Sequence, residues 1–281
     1  MTRREVIGTS LSWIVFWAAG AGTRLLADAG SGNPENVTYR TGYAASIKFG
    51  MELYRALKPK FRPLVYSRPI NVAADDAPFI RLEEFTDPEV GKPMAVVIIS
   101  AGFIDLVNNV AHAKAIDGEE KGYFSRYVLS LARETGEREL QELPNLANHR
   151  YWTRAMMNEQ LSNYNQIVGV LVGMNLANYY LGHYRKYESQ LRDPQGNAVP
   201  INCLLTPAEW DEALKWGEVN ALDCGLATDG IKALFDSIDR MPKRPAWARF
   251  FLPQNVKVAK IKKDMEKIEK RFFAGERFDE G

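Results

Sequence analysis

Histidine is the side chain that most often binds zinc or moves a proton near neutral pH, and the chain has three, His112, His149 and His183. No two of them stand four residues apart, the spacing that presents two imidazoles to one ion on one face of a helix. A metal site from His112, His183, Glu218 and Asp223 requires the fold to bring distant residues together. Scattered histidines are more often surface or hydrogen-bonded core residues, and His149 fits that role best.

No motif for nucleophilic catalysis is present in the sequence. There is no Gly-x-Ser-x-Gly, no phosphate-binding loop and no dinucleotide fingerprint. The two cysteines, Cys203 and Cys224, stand in no context that activates a thiolate. In an oxidising compartment they are predicted to form a disulfide across a loop of about twenty residues, worth roughly 3 kcal/mol. The alternative is two buried free thiols.

Three segments of the sequence carry a family pattern. Residues 96–108 read VVIISAGFIDLVN, an apolar strand that leads into a helix. Residues 174–183 read MNLANYYLGH, and residues 218–221 read EVNA. Together these segments resemble the HtpX-type zinc metallopeptidases (gluzincins). The second segment is similar to the zinc helix HExxH, and the third is similar to the start of the downstream ExxAD motif.

The resemblance implies a site whose catalytic groups are lost. In the family, the two histidines of HExxH bind zinc, and the glutamate between them activates the attacking water. Here the first ligand position is Met174, the base position is Asn175 and the second ligand position is Asn178. A thioether is a poor zinc ligand, and a carboxamide accepts no proton near neutral pH. Only Glu218 keeps the ligand type of its position, so the resemblance implies no catalytic residue, no metal and no cofactor.

The N-terminus has the pattern of an export signal. Arg3 and Arg4 precede an uncharged, Trp-rich run over residues 6–23. Residues 1–29 are therefore predicted to be a twin-arginine signal or a retained membrane anchor of the same design, and the alternative is a buried core helix. If the leader is uncleaved, residues 6–23 cross the membrane and the arginines hold the N-terminus on the cytoplasmic side. The body is then periplasmic and attached to the inner membrane.

The overall charge argues against nucleic acid as a partner. The chain has 36 Lys and Arg against 35 Asp and Glu, a formal net charge of +1. Such a chain has no global field that attracts a polyanion. Its 281 residues and 46% hydrophobic content are sufficient for a buried core, so an ordinary globular protein is expected.

The apolar pattern predicts an α+β fold that is mostly α. Three β-rich runs, residues 63–67, 79–85 and 94–100, predict a small sheet. Helical spacing is found over residues 42–57, 102–115, 123–133, 151–188, 207–216 and 227–238. The resemblance adds a zincin-like arrangement, with the sheet packed on a bundle of helices, in a metallopeptidase-like domain over residues 30–250. Residues 30–40 predict a linker at its start.

Residues 251–281 are predicted to form a C-terminal amphipathic docking helix and a tail. Ile261, Met265, Ile268 and Phe272 follow three-four spacing, with charged residues between them. Such a stripe most often folds back on its own domain, and the alternative is packing on a partner protein.

Tyr180 and Tyr184, close to Arg185, are a second candidate interface. Tyrosine and arginine are favoured at protein interfaces. The alternative is tyrosines that pack in the core with their hydroxyl groups in water.

The sequence as a whole predicts a non-catalytic pseudo-metallopeptidase on the periplasmic side of the membrane. It would act as an accessory or scaffolding subunit of an envelope complex, with protein partners in the membrane or periplasm. Two other functions remain open. One is a zinc-dependent peptidase with non-standard ligands, and the other is a periplasmic protein that binds a peptide in the emptied zinc cleft around Met174 and Asn178.

Overall fold

The computed structural model of the protein describes residues 34–75, 77–131, 142–253, 256–276 and 278. These residues form one three-stranded sheet and eight α-helices, which confirms the predicted α+β, mostly helical class. The strands are β1 (Val65–Ala73), β2 (Ile80–Thr86) and β3 (Pro93–Ser100). The helices are α1 (Pro34–Ala56), α2 (Ala101–Asp117), α3 (Tyr123–Leu131), α4 (Arg154–Tyr180), α5 (His183–Tyr187), α6 (Pro207–Asp223), α7 (Asp229–Arg240) and α8 (Val258–Phe273).

The sheet has the strand order β1-β3-β2, with β1 parallel and β2 antiparallel to the central strand β3. β3 is buried on both faces, which is why its sequence is a continuous apolar run. Ala95, Val97 and Ile99 belong to the main hydrophobic core. Val96 and Ile98 form a separate small cluster, because successive side chains of a strand point to opposite faces. The helical core therefore packs on one face of the sheet, which leaves a distinct outer face.

α4 is the central helix of the body. Its first turn is capped by Thr153, whose side chain accepts a hydrogen bond from the backbone N–H of Met156. Every residue from Asn163 to Tyr179 is buried. A helix that is covered all round must be surrounded by other elements, and α4 contacts α1, α2, α6 and α7.

The closest contact of α4 with α6 is made by two glycines. A Cβ atom on Gly217 would lie 2.4 Å from the backbone nitrogen of Met174, and one on Gly173 would lie 2.9 Å from the carbonyl oxygen of Gly217. Only glycine lets two helix backbones approach so closely. The crossing therefore fixes the position of Glu218, the next residue of α6, relative to α4.

Side chains from two other helices cap the N-terminus of α7. Gln166 on α4 accepts a hydrogen bond of 2.7 Å from the N–H of Gly230. Glu269 on α8 accepts bonds of 3.2 Å and 2.5 Å from the N–H and the hydroxyl group of Thr228. The first N–H groups of a helix have no partner within it, so these bonds satisfy donors that would otherwise be buried without one. The bond to Glu269 also holds α8 on the body.

Two predicted boundaries are corrected. Residues 34–40, predicted as linker, belong to α1, which begins at Pro34 because proline is preorganised for the first turn of a helix. The single helix predicted over residues 151–188 is divided, because α4 ends at Tyr180. Gly182 has a φ of 83°, the left-handed conformation that ends a helix, and α5 follows it.

The predicted leader, residues 1–29, lies outside the described residues, and so does its membrane span, residues 6–23. The alternative in which the same segment is a buried core helix also falls there. Among the helices that the structure describes, none has the length and apolar character needed to cross a membrane.

Candidate functional site

The four positions that the family pattern assigns to zinc chemistry lie inside the protein. Met174 and Asn178 on α4 are 0% exposed, Asn175 is 2% exposed, and Glu218 on α6 is 0% exposed. α4 and α6 bring two of these positions near each other, because Gly217 packs on the backbone of Met174. Hydrolysis requires a cleft that a peptide and a water molecule can enter. Helix packing fills that place here, so the emptied zinc cleft expected for a peptide-binding protein is not open.

The two asparagines are held by hydrogen bonds within the chain. Asn175 Nδ2 donates to the carbonyl oxygen of Leu171 over 2.8 Å, one turn earlier on α4. Asn178 Oδ1 lies 3.0 Å from Nδ1 of His183, which holds the start of α5 against the end of α4. Amides fixed in this way neither bind zinc strongly nor take up a proton, so their role is structural.

Glu218 is a buried carboxyl group, and neither of its oxygens has a hydrogen-bond partner among the described residues. Burial and then repulsion from Glu269 raise its pKa to about 9, while nearby Lys232 opposes the shift. The carboxyl group is therefore protonated near neutral pH, whereas a zinc ligand must be ionised. A thioether, two bonded carboxamides and a neutral acid do not fit a zinc ion.

The other candidate ligands are dispersed. Within the described ranges, no group of three or more His, Cys, Asp or Glu side chains is placed to hold a metal ion, so the four-residue site considered above does not form. His112 Nε2 lies 2.7 Å from the carbonyl oxygen of Tyr151, and burial lowers the pKa of this histidine to about 4. His183 Nε2 lies 3.7 Å from Oε2 of Glu212. His149 is exposed at the start of a short 3₁₀ helix.

The predicted disulfide is not formed, since both cysteines are free thiols. Cys203 is exposed, and its Sγ lies 3.8 Å from the carbonyl oxygen of Arg249. Cys224 follows the last residue of α6 and is mostly buried, within electrostatic reach of Glu52. The two thiols therefore lie against different parts of the molecule.

The predicted tyrosine interface packs within the chain. Tyr180 stacks on Phe61, with ring centroids 4.1 Å apart. Tyr184 is buried, and its ring lies 5.9 Å from that of Tyr179. The core alternative therefore describes both residues.

The apolar stripe of α8 also faces the body of the protein. Ile261, Met265 and Phe272 are buried, and Ile268 is half-buried. The polar side of the helix is tied down as well: Lys260 pairs with Asp211 on α6 over 2.7 Å, and Lys262 pairs with Asp236 on α7 over 2.7 Å. The C-terminal helix thus docks on its own domain, and its stripe is not a surface for a partner.

An open groove of about 1020 Å³ lies between α1 and the outer face of the sheet. We call it the β1 groove. Three aromatic rings are partly exposed along it: Tyr43 is 44% exposed, Tyr66 43% and Phe85 44%. The residues that line the β1 groove are Tyr43, Ala44, Ile47, Lys48, Met51, Tyr66, Arg68, Ile70, Asn71, Phe85, Thr86, Pro88, Met94 and Val96.

A long β-bulge places two side chains in the β1 groove. Val65 pairs with Ala95 and Ile70 pairs with Val97, so five steps along β1 match two along β3. Tyr66 and Arg68 lie within this bulge and line the groove. Arg68 makes no hydrogen bond or ion pair with another described residue.

Sequence reasoning did not find the β1 groove. The signal was present, since Tyr66 and Phe85 are large aromatic residues at solvent-facing strand positions, where polar residues are usual. It was not used, because the prediction assigned strands without assigning their faces.

Comparison of the chain with models of protein families, with curated proteins and with solved structures found no match. The functional conclusion therefore depends on the chemistry of the residues themselves.

Proposed function

We propose that this protein is a non-catalytic, metallopeptidase-like protein that acts as an accessory or scaffolding subunit of a membrane or envelope complex. The observation that carries the proposal is the state of the four former catalytic positions. Met174, Asn175 and Asn178 are buried side chains that pack or bond within the chain, and Glu218 is a buried neutral acid. No step of peptide hydrolysis can be assigned to these groups.

A zincin-like arrangement is part of the proposal. β3 leads directly into α2, and Ser100 caps that helix by accepting a hydrogen bond from the N–H of Phe103. α4 is then the counterpart of the zinc helix, and α6 is the counterpart of the helix that carries the third ligand. The contact of Gly217 with Met174 supports this assignment, because it places the third position beside the first.

The location is proposed from the N-terminus. Arg3 and Arg4 followed by the uncharged run over residues 6–23 support export by the twin-arginine route and attachment to the inner membrane. On that basis the partners are proteins of the membrane or periplasm. Intact-mass measurement of protein purified from membranes tests whether residues 1–29 are retained.

Metal analysis and copurification test the function. The full chain purified from solubilised membranes is expected to hold no stoichiometric zinc, to cleave no peptide and to copurify with a defined envelope protein. One zinc per chain that is lost in Glu218→Ala, together with peptide hydrolysis, would establish the peptidase alternative. A free monomer that copurifies with nothing would overturn the scaffold proposal.

Restoring the ligands tests the zincin-like arrangement separately. Met174→His with Asn178→His places two imidazoles four residues apart on α4, near Glu218. We expect the folded double variant to bind zinc and to lose part of that affinity when Glu218→Ala is added. Met174→His alone is the matched control. A folded double variant that binds no more zinc than the control would contradict the arrangement.

A further inference from the structure

We propose that the β1 groove is the partner-binding surface of this protein and that it takes an extended peptide segment carrying apolar side chains and a carboxylate. This inference rests on the proposed scaffolding function and names the surface that performs it. The groove is separate from the former zinc positions, because the helical core packs on the face of the sheet that carries Ala95 and Val97. Met94 and Val96, which line the groove, lie on the opposite face.

The walls of the β1 groove are built for apolar side chains. Ile47 and Met51 contribute from α1, and Met94 and Val96 contribute from β3. Phe85 pairs directly with Met94 across the β2-β3 ladder, so an aromatic ring and a flexible thioether form one continuous patch. Aromatic residues and methionine are the residue types enriched in the centres of protein interfaces. Covering such a patch removes apolar surface from water, which favours binding.

The charge of the β1 groove selects an anionic ligand. Two cationic residues, Lys48 and Arg68, line it, and none of the described lining residues is acidic. Arg68 is exposed, and its guanidinium group makes no ion pair or hydrogen bond with another described residue. A guanidinium fork binds a carboxylate through two parallel hydrogen bonds. A carboxylate of the peptide, on a side chain or at a C-terminus, is therefore the polar group that the groove recognises.

The backbone of the bulge favours a peptide over an acyl chain with the same head group. Residues 66–69 have no register partner in β3, although the ladder is regular on either side of them. Main-chain N–H and C=O groups in this stretch can bond an extended peptide, as happens when a strand is added to a sheet edge. An acyl chain has no groups that use those donors and acceptors. The groove is also open along one side, which suits a segment that belongs to a larger protein.

Two other occupants fit the charges less well. The chain's own leader is uncharged over residues 6–23, so it offers no anion to Arg68. A second copy of the chain that used the same groove on both subunits would bring Lys48 and Arg68 against their own copies, because a two-fold interface pairs each patch with itself. The partner is therefore a different protein whose segment is acidic and apolar.

A selection from a library of short random peptides displayed on phage tests the proposal, with the full chain as bait. Peptides that are apolar and contain Asp, Glu or a free C-terminus are expected to be enriched. Synthetic copies of the enriched peptides are then titrated by fluorescence anisotropy. Tyr66→Ala and Phe85→Ala are expected to weaken binding by about tenfold or more, as loss of an aromatic anchor does.

A double-mutant cycle tests the role of Arg68. Arg68→Glu is expected to weaken binding of the acidic peptide by about tenfold or more, and to have little effect on the same peptide with its carboxylate replaced by the amide. Leu129→Ala and Arg154→Glu are matched controls, since Leu129 is 51% exposed on α3 and Arg154 is exposed at the start of α4. Both controls are expected to bind like the unaltered protein.

Several outcomes would overturn the inference. These are no enriched peptide, binding that is insensitive to Tyr66→Ala and Arg68→Glu, tighter binding of a synthetic peptide of residues 6–23, and dimerisation that Tyr66→Ala abolishes. If the selection fails while an envelope protein still copurifies with the chain, the groove is excluded and the scaffolding function stands. Zinc-dependent cleavage of the library peptides would remove the scaffolding function itself.

Discussion

Gly217 on α6 lies against Met174 on α4 so closely that a Cβ atom on the glycine would be 2.7 Å from the Cα atom of the methionine. Real side chains do not adopt such distances, and the atoms in the way belong to a backbone. Alanine has the better helix propensity by about 1 kcal/mol, but the helices must separate to accept it. We expect Gly217→Ala to lower the free energy of unfolding by about 1–3 kcal/mol, the usual cost of overpacking a core.

Urea unfolding at one pH measures this loss. Gly118→Ala is the matched control, because Gly118 already has a helical φ of −60° and a Cβ there meets only the carbonyl oxygen of Ala115 at 3.2 Å. The control is expected to change stability by a few tenths of a kcal/mol, in line with surface substitutions. Equal effects of the two substitutions would show that the crossing of α4 and α6 is looser than the structure has it.

Glu218 is expected to make stability depend on pH in a defined direction. Its ordinary pKa is 4.5, and burial raises the pKa to about 9 in the folded chain. The folded protein therefore binds the extra proton, so Glu218 costs nothing below pH 4.5, and its cost grows as the pH rises from 4.5 to about 9. The slope approaches about 1.4 kcal/mol per pH unit for one group. We expect Glu218→Gln to remove this slope.

Unfolding free energies measured from about pH 5 to about pH 8 provide the comparison, because groups that titrate in both proteins cancel in the difference. The stability of Glu218→Gln relative to the unaltered protein is expected to increase steadily with pH. Glu266→Gln serves as the control, since Glu266 is exposed on α8. Parallel pH profiles for Glu218→Gln and the unaltered protein would contradict the neutral buried state.

The elements of the fold were largely readable from local pattern. β3 is a continuous apolar run, and α6 begins with Thr206 before Pro207 and carries Glu209 at its third position, a capping box that the structure contains. The division of α4 from α5 was missed, because the tyrosines on either side of Gly182 continue a helical apolar pattern across it. A left-handed glycine changes the direction of the chain without changing that pattern.

The site was less predictable than the elements. Burial of Met174 and Asn178 depends on how α4 packs, and a single helix with apolar residues on all sides does not say which neighbours cover it. The β1 groove depends on the bulge between Val65 and Ile70, which shifts the register of one strand against another. Register is a property of two strands together, so it cannot be read from either sequence alone.

The two thiols are expected to differ in reactivity. Burial raises the pKa of Cys203 and raises that of Cys224 more strongly, and only Cys203 is exposed. Since the thiolate is the reactive form, a maleimide should label Cys203 of the folded protein first and Cys224 much more slowly. Cys203→Ser is expected to remove only the fast phase. Denatured protein prepared without reductant should contain two free thiols per chain, and a count of zero would establish the disulfide.

The docking of α8 predicts where its apolar stripe acts. Met265 is 1% exposed, so Met265→Ala should lower the free energy of unfolding by about 2–5 kcal/mol, the range for large-to-small changes in a core. Ile268 lies on the same helix but is half-buried, so Ile268→Ala should cost clearly less. Urea unfolding of the purified chain measures both variants. If the stripe bound a partner, the ranking would be reversed in kind: Met265→Ala would leave the isolated chain as stable as before and would instead abolish copurification of the envelope protein. Loss of stability together with retained copurification is the result that the packing of α8 on α6 and α7 requires.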